Sequence, residues 1–550
     1  MSSKRFGAIT ALVYLILGLA AFSPILNAPF VSDDWDFLII VARARSAFVC
    51  FEPLVGRFVR PLVVFIYYAS YKAFGLWTLP YHLTVVLLHV LTAWLVCRLA
   101  QRVDARRRRV VGLASGLLFL LFAGHSEAVS WIAGAADPLQ APFVIGALLC
   151  FGRALVPYGS DTDDGPARAG RDARNRLALG WVLFAGALLA KETAAVFPAV
   201  ALAFGLLEVH RATDKRRALR LTMVFAGGAL GLVAVLIVVR AILFGAAFGA
   251  YSGLGTSQGR VLVQAAVFFL RTLAPPLSAT AKVWLTGMRL AFVAGLAVVM
   301  STIVIVRCRD RGALLFAIAA TVLSLVPVLP LTISLISPES ERFLYVPSMF
   351  SSIAIVLAVV DFMTAQAVAA ALIGSLVIVH AVSLERSNLT WRESSLMADR
   401  ILRTSIALIR QHNPDFRSTV VVLNLPDTLR GMYVLRNGFV SALRLLASDL
   451  DSERLRLFGV AWHSTERPDD RAIVTHMTPL EFRVDLHRNV IFPHPAITQP
   501  FFVVSDSTPH GFTIRLSPMI GRTVVLHVSE GRMNLTAVIE GQSLRDTSNR

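Results

Sequence analysis

The sequence predicts a polytopic α-helical membrane protein with a small soluble α/β domain at its C-terminal end. Three observations carry this. Of 550 residues, 56% are apolar and only 16% charged, with a mean hydropathy of +0.66, whereas soluble domains carry roughly 25% charged residues. Apolar runs recur through the first 383 residues at about the 20-residue length that a helix needs to cross hydrocarbon. From residue 384 onward the composition becomes that of an ordinary soluble domain. A large soluble enzyme does not fit, because its helices would show polar faces. The domains are therefore read as 1–383, in the membrane, and 384–550, outside it.

The first run, "FGAITALVYLILGLAAFSPIL", follows Lys4 and Arg5 and is longer than the roughly 7–15 residues of a signal-peptide core. It is read as a retained helix over about 7–27. An outer segment over 28–80 follows, with "RPLVVFIYYASYKAFGLW" as a helix lying in the interface, aromatic and apolar side down. Further helices are expected at 81–100, 110–124, 138–154, 177–190, 193–208, 219–244, 288–306, 312–335, 344–361 and 363–383, which makes eleven. The run over 261–274 is read as re-entrant or interfacial. In the tail, "WRESSLMADRILRTSIALIRQH" has helical period, "STVVVLNLPD" reads as a buried strand and turn, and "TVVLHVSEGRMNLTAVIEG" as a hairpin turning near Glu530–Gly531.

The net charge of +18 sits largely in short loops between apolar runs, as at Arg106–Arg109, Arg171–Arg176 and Arg211–Arg220. That is the positive-inside pattern. It sets the N-terminus in the cytoplasm and the tail outside, and it excludes a nucleic-acid partner, which would need the charge on one folded face. Cys50, Cys97, Cys150 and Cys308 show no metal or redox spacing. Forty-eight arginines against five lysines, with abundant alanine, suggest a bacterial source and hence a bacterial inner membrane.

On this topology the polar clusters fall on the outer side. "FVSDDWDFL" carries Asp33, Asp34 and Asp36; "GHSEAVSWIAGAAD" carries His125, Glu127 and Asp137; "AKETA" carries Lys191 and Glu192. Arg240 lies near the outer end of its helix, and "SPESERFLYVPS" carries Glu339, Glu341 and Arg342. Ionisable groups at membrane depth are costly and usually mark a pathway or site. Each also has a plainer reading. The aspartates can cap a helix, Lys191 and Arg240 can snorkel, and Glu341–Arg342 can be a local salt bridge.

In the segments "FVSDDWDF", "RFVRPLVVFIYYASYKAFG", "GHSEAVSWIAGAADPLQA", "LLAKETAAVFPAV" and "ESERFLYVPS", over roughly 28–350, the chain resembles membrane-embedded C-type glycosyltransferases (GT-C). Among these it is most similar to the transmembrane O-mannosyltransferases with tetratricopeptide repeats and their bacterial relatives. It departs from them at Ala123, where proline is usual, and at Ala135, where arginine is usual. Its tail lacks the repeats and carries "NLPDTLRGMYVLRNGF" instead.

The resemblance implies transfer of a hexose, possibly mannose, from a polyprenyl-phosphate donor to a hydroxyl on a protein, glycan or lipid acceptor at the outer face, by inverting displacement. Such chemistry needs a carboxylate base and cations for the departing phosphate, arginine best of all. The expected roles are Asp33 or Asp34 as base, Arg342, Lys191 and Arg240 on the phosphate, and His125, Glu127, Asp137, Glu192 and Glu341 around the sugar. No cofactor or metal is expected, since fixed cations can take the electrostatic role. A transporter or lipid flippase is the alternative class; it predicts paired repeats with interrupted helices, which the sequence does not show.

Overall fold

Runs of Leu, Val, Ala and Phe favour helix, and hydrocarbon allows little else, because every backbone polar group there must be satisfied within its own segment. In the computed structural model, residues 3–539 are described apart from 55–57, 156–165, 246–257, 276–294, 296–305, 332, 334–336, 413–418, 448–455, 487–489, 492–497, 500–501 and 518–521. The helices are α1 (Ser3–Ala21), α2 (Asp34–Arg43), α3 (Pro61–Phe74), α4 (Thr78–Val103), α5 (Arg108–Leu120), α6 (Ser126–Ser130), α7 (Ala136–Leu155), α8 (Pro166–Ala190), α9 (Phe197–Arg211), α10 (Lys215–Phe244), α11 (Gln258–Leu273), α12 (Arg311–Leu325), α13 (Tyr345–Phe362), α14 (Gln366–His412) and α15 (Phe439–Leu446). Among the described residues, seven helical stretches are long and apolar enough to cross a membrane. They become eight if the bent pair Arg108–Leu120 and Ala123–Ser130 counts as one span. The helix expected at 288–306 lies almost wholly outside the described residues.

The chain forms two compact units. One comprises Met1–Leu26, Ser46–Ser70 and Pro80–Asn388; the other comprises Asn27–Arg45, Tyr71–Leu79 and Leu389–Arg550. In the first unit α7 packs on α8, α9 on α10, α12 on α13 and α13 on α5. Close approach there depends on small residues. The Tyr14 hydroxyl donates to the Leu113 carbonyl at 2.7 Å, in space that a Cβ on Gly116 would fill.

Two helices differ from the sequence reading. α8 begins at Pro166, inside a segment expected to be a polar loop. Proline suits a first helical position, and Ala and Arg are good helix formers, so helix forms without an apolar stripe to announce it. α14 runs unbroken for 47 residues through the point where a boundary was expected after 383. Hydropathy falls there, but nothing in "SLERSNLTWRESS" breaks a helix.

The second unit contains two sheets. The larger has the order β11 (Arg532–Ile539), β10 (Thr523–Ser529), β1 (Thr419–Leu429), β3 (Arg456–Thr465), β6 (Val490–Ile491), with β2 (Met432–Tyr433) folded back on β1. β1 is parallel to both β10 and β3 and is buried along its whole length, as expected for a central strand reading as a continuous apolar run. The smaller, antiparallel sheet has the order β4 (Ala472–Thr478), β5 (Glu481–Leu486), β9 (Gly511–Leu516), β8 (Phe502–Thr508), β7 (Thr498–Gln499). Val421, Leu423, Val460 and Val525 of the first sheet share a core with Phe482, Val484, Phe512 and Ile514 of the second. The β10–β11 hairpin turns at Glu530 (φ 53°) and Gly531 (φ 62°), the paired left-handed conformation that tight hairpins favour.

Candidate active site

In the first unit the polar residues lie in the reverse turns that join apolar helices. After α5 the chain bends by 54° into the segment leading to α6, which places Glu127 with only 1% of its surface exposed. Before α13, Ser340 adopts a left-handed φ of 70° and starts the short turn Glu341–Leu344. A non-glycine residue there is uncommon and costs strain. Lys191 and Glu192 form the turn between α8 and α9.

These turns meet through ion pairs. Lys191 Nζ binds both oxygens of Asp137, at 2.6 and 2.7 Å. Glu192 accepts from Arg60 at 3.2 Å and from Arg240 at 3.3 Å. Arg342 pairs with Glu127 through its guanidinium, and its backbone N–H donates to the same carboxylate at 3.1 Å. Arg271, from α11, pairs with Glu341. Arg342 and Lys191 both lie over the Phe343 ring, at 4.8 and 5.4 Å from its centroid, and Arg342 also lies 5.2 Å from that of Trp131. Phe343 joins Arg342 to Lys191, and Glu192 and Glu341 adjoin Lys191 and Arg342 in sequence, so the pairs form one cluster. Among the described ion pairs, the cations Arg60, Lys191, Arg240, Arg271 and Arg342 hold the carboxylates Glu127, Asp137, Glu192 and Glu341.

The network is graded in depth. Arg271 and Glu341 are 1% and 0% exposed in their side chains, whereas Arg342 keeps 19% of its side chain exposed over a Glu127 that has 1%. A buried carboxylate thus holds a planar guanidinium from behind and leaves its outer edge at the surface. His125 is fully buried. Its Nε2 meets Ser348 Oγ at 2.7 Å, among the rings of Phe119, Phe122 and Tyr345.

The aspartates of the first loop belong to the second unit, where their described hydrogen bonds come from a backbone N–H, an amide and a hydroxyl. Asp34 is buried, and its Oδ2 accepts from the Val31 N–H at 3.0 Å. Asp33 occupies the N-cap position of α2, yet its side chain makes no capping bond. Instead Asp33 Oδ1 accepts from the Asn437 side-chain amide at 2.5 Å, and Asp36 Oδ1 accepts from the Ser441 hydroxyl at 2.5 Å. Burial pushes the Asp36 carboxyl above its ordinary pKa; the Ser441 hydroxyl offsets part of this, and the neighbouring Asp33 charge adds to it.

The segment "NLPDTLRGMYVLRNGF" builds this arrangement. Asp427, at the end of β1, takes Arg436 bidentately at 2.7 Å, and Val434 and Leu435 donate backward to the Asp427 and Pro426 carbonyls. The Val434 carbonyl then accepts from the Ser32 N–H at 3.1 Å, and Ser32 itself has a left-handed φ of 47°. Gly438, with φ 77°, comes so close to the Ser32 carbonyl that a Cβ would not fit.

The structure therefore brings together Glu127, Asp137, Lys191, Glu192, Arg240, Glu341 and Arg342 of the expected set. Asp33 and Asp34 sit together in the other unit, and His125 takes aromatic and hydroxyl neighbours. Sequence reasoning missed Arg271, although a lone arginine in the run "VLVQAAVFFLRTL" was a signal. It also missed Asn437 and Ser441, which stand 404 and 405 positions from the aspartates they touch, so no spacing pointed to them.

Fold and site together define a polytopic membrane protein whose helix-joining turns converge on a paired-ion cluster. No protein-family model matches the chain. It is 34% identical over 139 residues to the protein O-mannosyl-transferase Tmtc1 of Drosophila melanogaster, covering 24% of this chain and 14% of that protein. Among solved structures it is similar to ArnT from Cupriavidus metallidurans bound to undecaprenyl phosphate, with a TM-score of 0.41 and 13% identity over 83% of this chain and 90% of that one. It is also similar to the apo oligosaccharyltransferase of Archaeoglobus fulgidus, with a TM-score of 0.47 and 10% identity over 83% of this chain and 64% of that one. Both scores lie below 0.5, so neither transfers a residue or a substrate to this chain.

Proposed function

We propose that the chain is an integral-membrane glycosyltransferase that moves a hexose, with mannose the first candidate, from a polyprenyl-phosphate donor to a hydroxyl acceptor on the outer face of the membrane. The observation that carries this reading is the paired-ion cluster with Arg342 at its more exposed side. A lipid phosphate arriving at a helix-joining turn needs fixed positive charge at the membrane surface, and Arg342, held by the buried Glu127 and partly exposed, suits a phosphate oxygen. The local match to an O-mannosyl-transferase and the shared sequence motifs support the same class.

In the displacement, the acceptor oxygen attacks the anomeric carbon while a carboxylate takes its proton. The carbon–oxygen bond to the phosphate breaks, and the lipid phosphate leaves with the electron pair. Asp33 is the better candidate for the base. Its carboxylate is partly exposed and rests on a neutral amide, whereas Asp34 is buried and ties its own turn to Val31. Fixed cations then stabilise the charge growing on the leaving phosphate, a contribution that typically reaches 10²–10³ in rate per donor.

The test is release of radiolabelled hexose from polyprenyl-phosphate mannose in proteoliposomes, with EDTA present and membrane extract supplying acceptors. Wild-type protein is expected to turn over, and Arg342→Gln to slow transfer by about 100-fold, measured at a temperature where the variant still elutes as folded protein. Absence of turnover with every polyprenyl-phosphate hexose, or an Arg342→Gln variant as fast as wild type, would overturn the reading.

A further inference from the structure

A second polar site lies at the other end of the first unit. α7 carries Asp137 at its start and Arg153 near its finish, roughly 24 Å apart at about 1.5 Å per residue, and around Arg153 opens a cavity of about 610 Å³. Its wall carries six arginines, Arg98, Arg102, Arg108, Arg109, Arg153 and Arg211, and a single carboxylate, Glu208. Arg102 is held by Glu208 at 2.5 Å and by the Gly152 carbonyl at 2.6 Å, and Arg211 by Asp310 at 2.5 Å. Arg108 and Arg153 are exposed. The charge therefore remains strongly positive after internal pairing.

Apart from Gln101, which accepts from Arg98 at 2.9 Å, the rest of the lining is largely apolar. Phe6, Trp94, Leu95, Leu149 and Leu183 come from four different helices, α1, α4, α7 and α8. Arginines that only snorkel would spread around the rim of a bundle. These gather around one recess together with its apolar residues, and that combination of guanidinium groups and apolar surface is the complement of an anionic lipid, which offers a phosphate and an acyl chain. Basic pockets between membrane helices hold phosphate headgroups through the same chemistry, and by the positive-inside rule this end faces the cytoplasm.

We propose that this cavity is a binding site for the phosphate group of an anionic phospholipid, independent of the paired-ion network. The guanidinium groups of Arg108 and Arg153 supply hydrogen bonds and charge to the phosphate, and Trp94 and its neighbours contact the chain.

The probe is dioleoylphosphatidylglycerol titrated into the full chain in neutral detergent, read by thermal unfolding and by native mass spectrometry. Dioleoylphosphatidylcholine and inorganic phosphate serve as separate arms. The expected result is a saturable rise in melting temperature with phosphatidylglycerol and none with phosphatidylcholine. Arg108→Gln/Arg153→Gln should raise the half-saturation concentration by roughly tenfold, at about 1 kcal/mol or less per charge. Arg216→Gln/Arg220→Gln, at the start of α10, should change it by less than about twofold. Equal effects of the two lipids, or equal losses in the two double variants, would overturn the proposal by reducing it to general attraction. A full shift with inorganic phosphate alone would overturn the lipid assignment and leave a site for a soluble phosphate.

Discussion

The carboxylates of this chain divide by partner. Glu127, Asp137, Glu192 and Glu341 in the turns of the first unit are each bound to a cation. Asp33, Asp34 and Asp36 in the first loop are bound to an amide, a backbone N–H and a hydroxyl. The difference is chemical. A carboxylate bonded to arginine or lysine has its oxygens taken up by the cation, and it fixes that cation in place. A carboxylate resting on a single neutral donor keeps lone pairs for another partner. In the proposed reading the first group supports a phosphate site and the second contains the base.

The contrast breaks most visibly in stability. Glu341→Gln removes the partner of a buried arginine, Arg271, and is expected to cost about 3–5 kcal/mol, read as loss of folded protein and a lower melting temperature in detergent. Asp36→Asn replaces a carboxylate on a hydroxyl and should cost only about 1 kcal/mol. Similar losses for the two would erase the distinction.

A smaller effect sharpens the role of the tail domain. Asn437→Ala leaves Asp33 without its amide and is expected to lower transfer about fivefold to tenfold, equivalent to the roughly 1 kcal/mol of one hydrogen bond, through kcat with the donor KM unchanged. A change in donor KM alone would place Asn437 on binding rather than on orientation of the base.

The smallest effect is in pH. The Asp36 carboxyl is raised above its ordinary value, first by burial, so the folded state holds that proton more tightly than the unfolded chain. Its contribution favours folding at low pH and is lost as pH rises through the folded pKa. Wild-type stability measured against Asp36→Asn should therefore fall as pH rises above the ordinary carboxylate range. Ser441→Ala, which removes the hydroxyl that lowers the shift, should enlarge the fall. A flat difference would show that burial does not act on Asp36.

Much of the architecture was legible because it depends on local pattern. The apolar runs mark the spans, though seven or eight rather than the expected eleven qualify among the described residues; "TVVVLNL" marks the buried strand, and Glu530–Gly531 marks the hairpin. The 47 residues of α14 were read as two pieces because hydropathy changes within it although helix propensity does not. The site was legible as a set of segments but not as pairs. Asp137 and Lys191 are 54 positions apart, and Glu127 and Arg342 are 215 apart, so no spacing rule joins them. Arg271 lay in a run read for its depth, and Asn437 in a tail read for its fold.

The central claim is that Asp33, not one of the cation-bound carboxylates, takes the acceptor's proton. The most direct measurement is the steady-state transfer rate of Asp33→Asn beside wild type across a range of polyprenyl-phosphate mannose concentrations. The account predicts a fall in kcat of about 10²–10⁴ with the donor KM within about twofold, because the donor's phosphate is held elsewhere. Transfer at the wild-type rate in Asp33→Asn would contradict it.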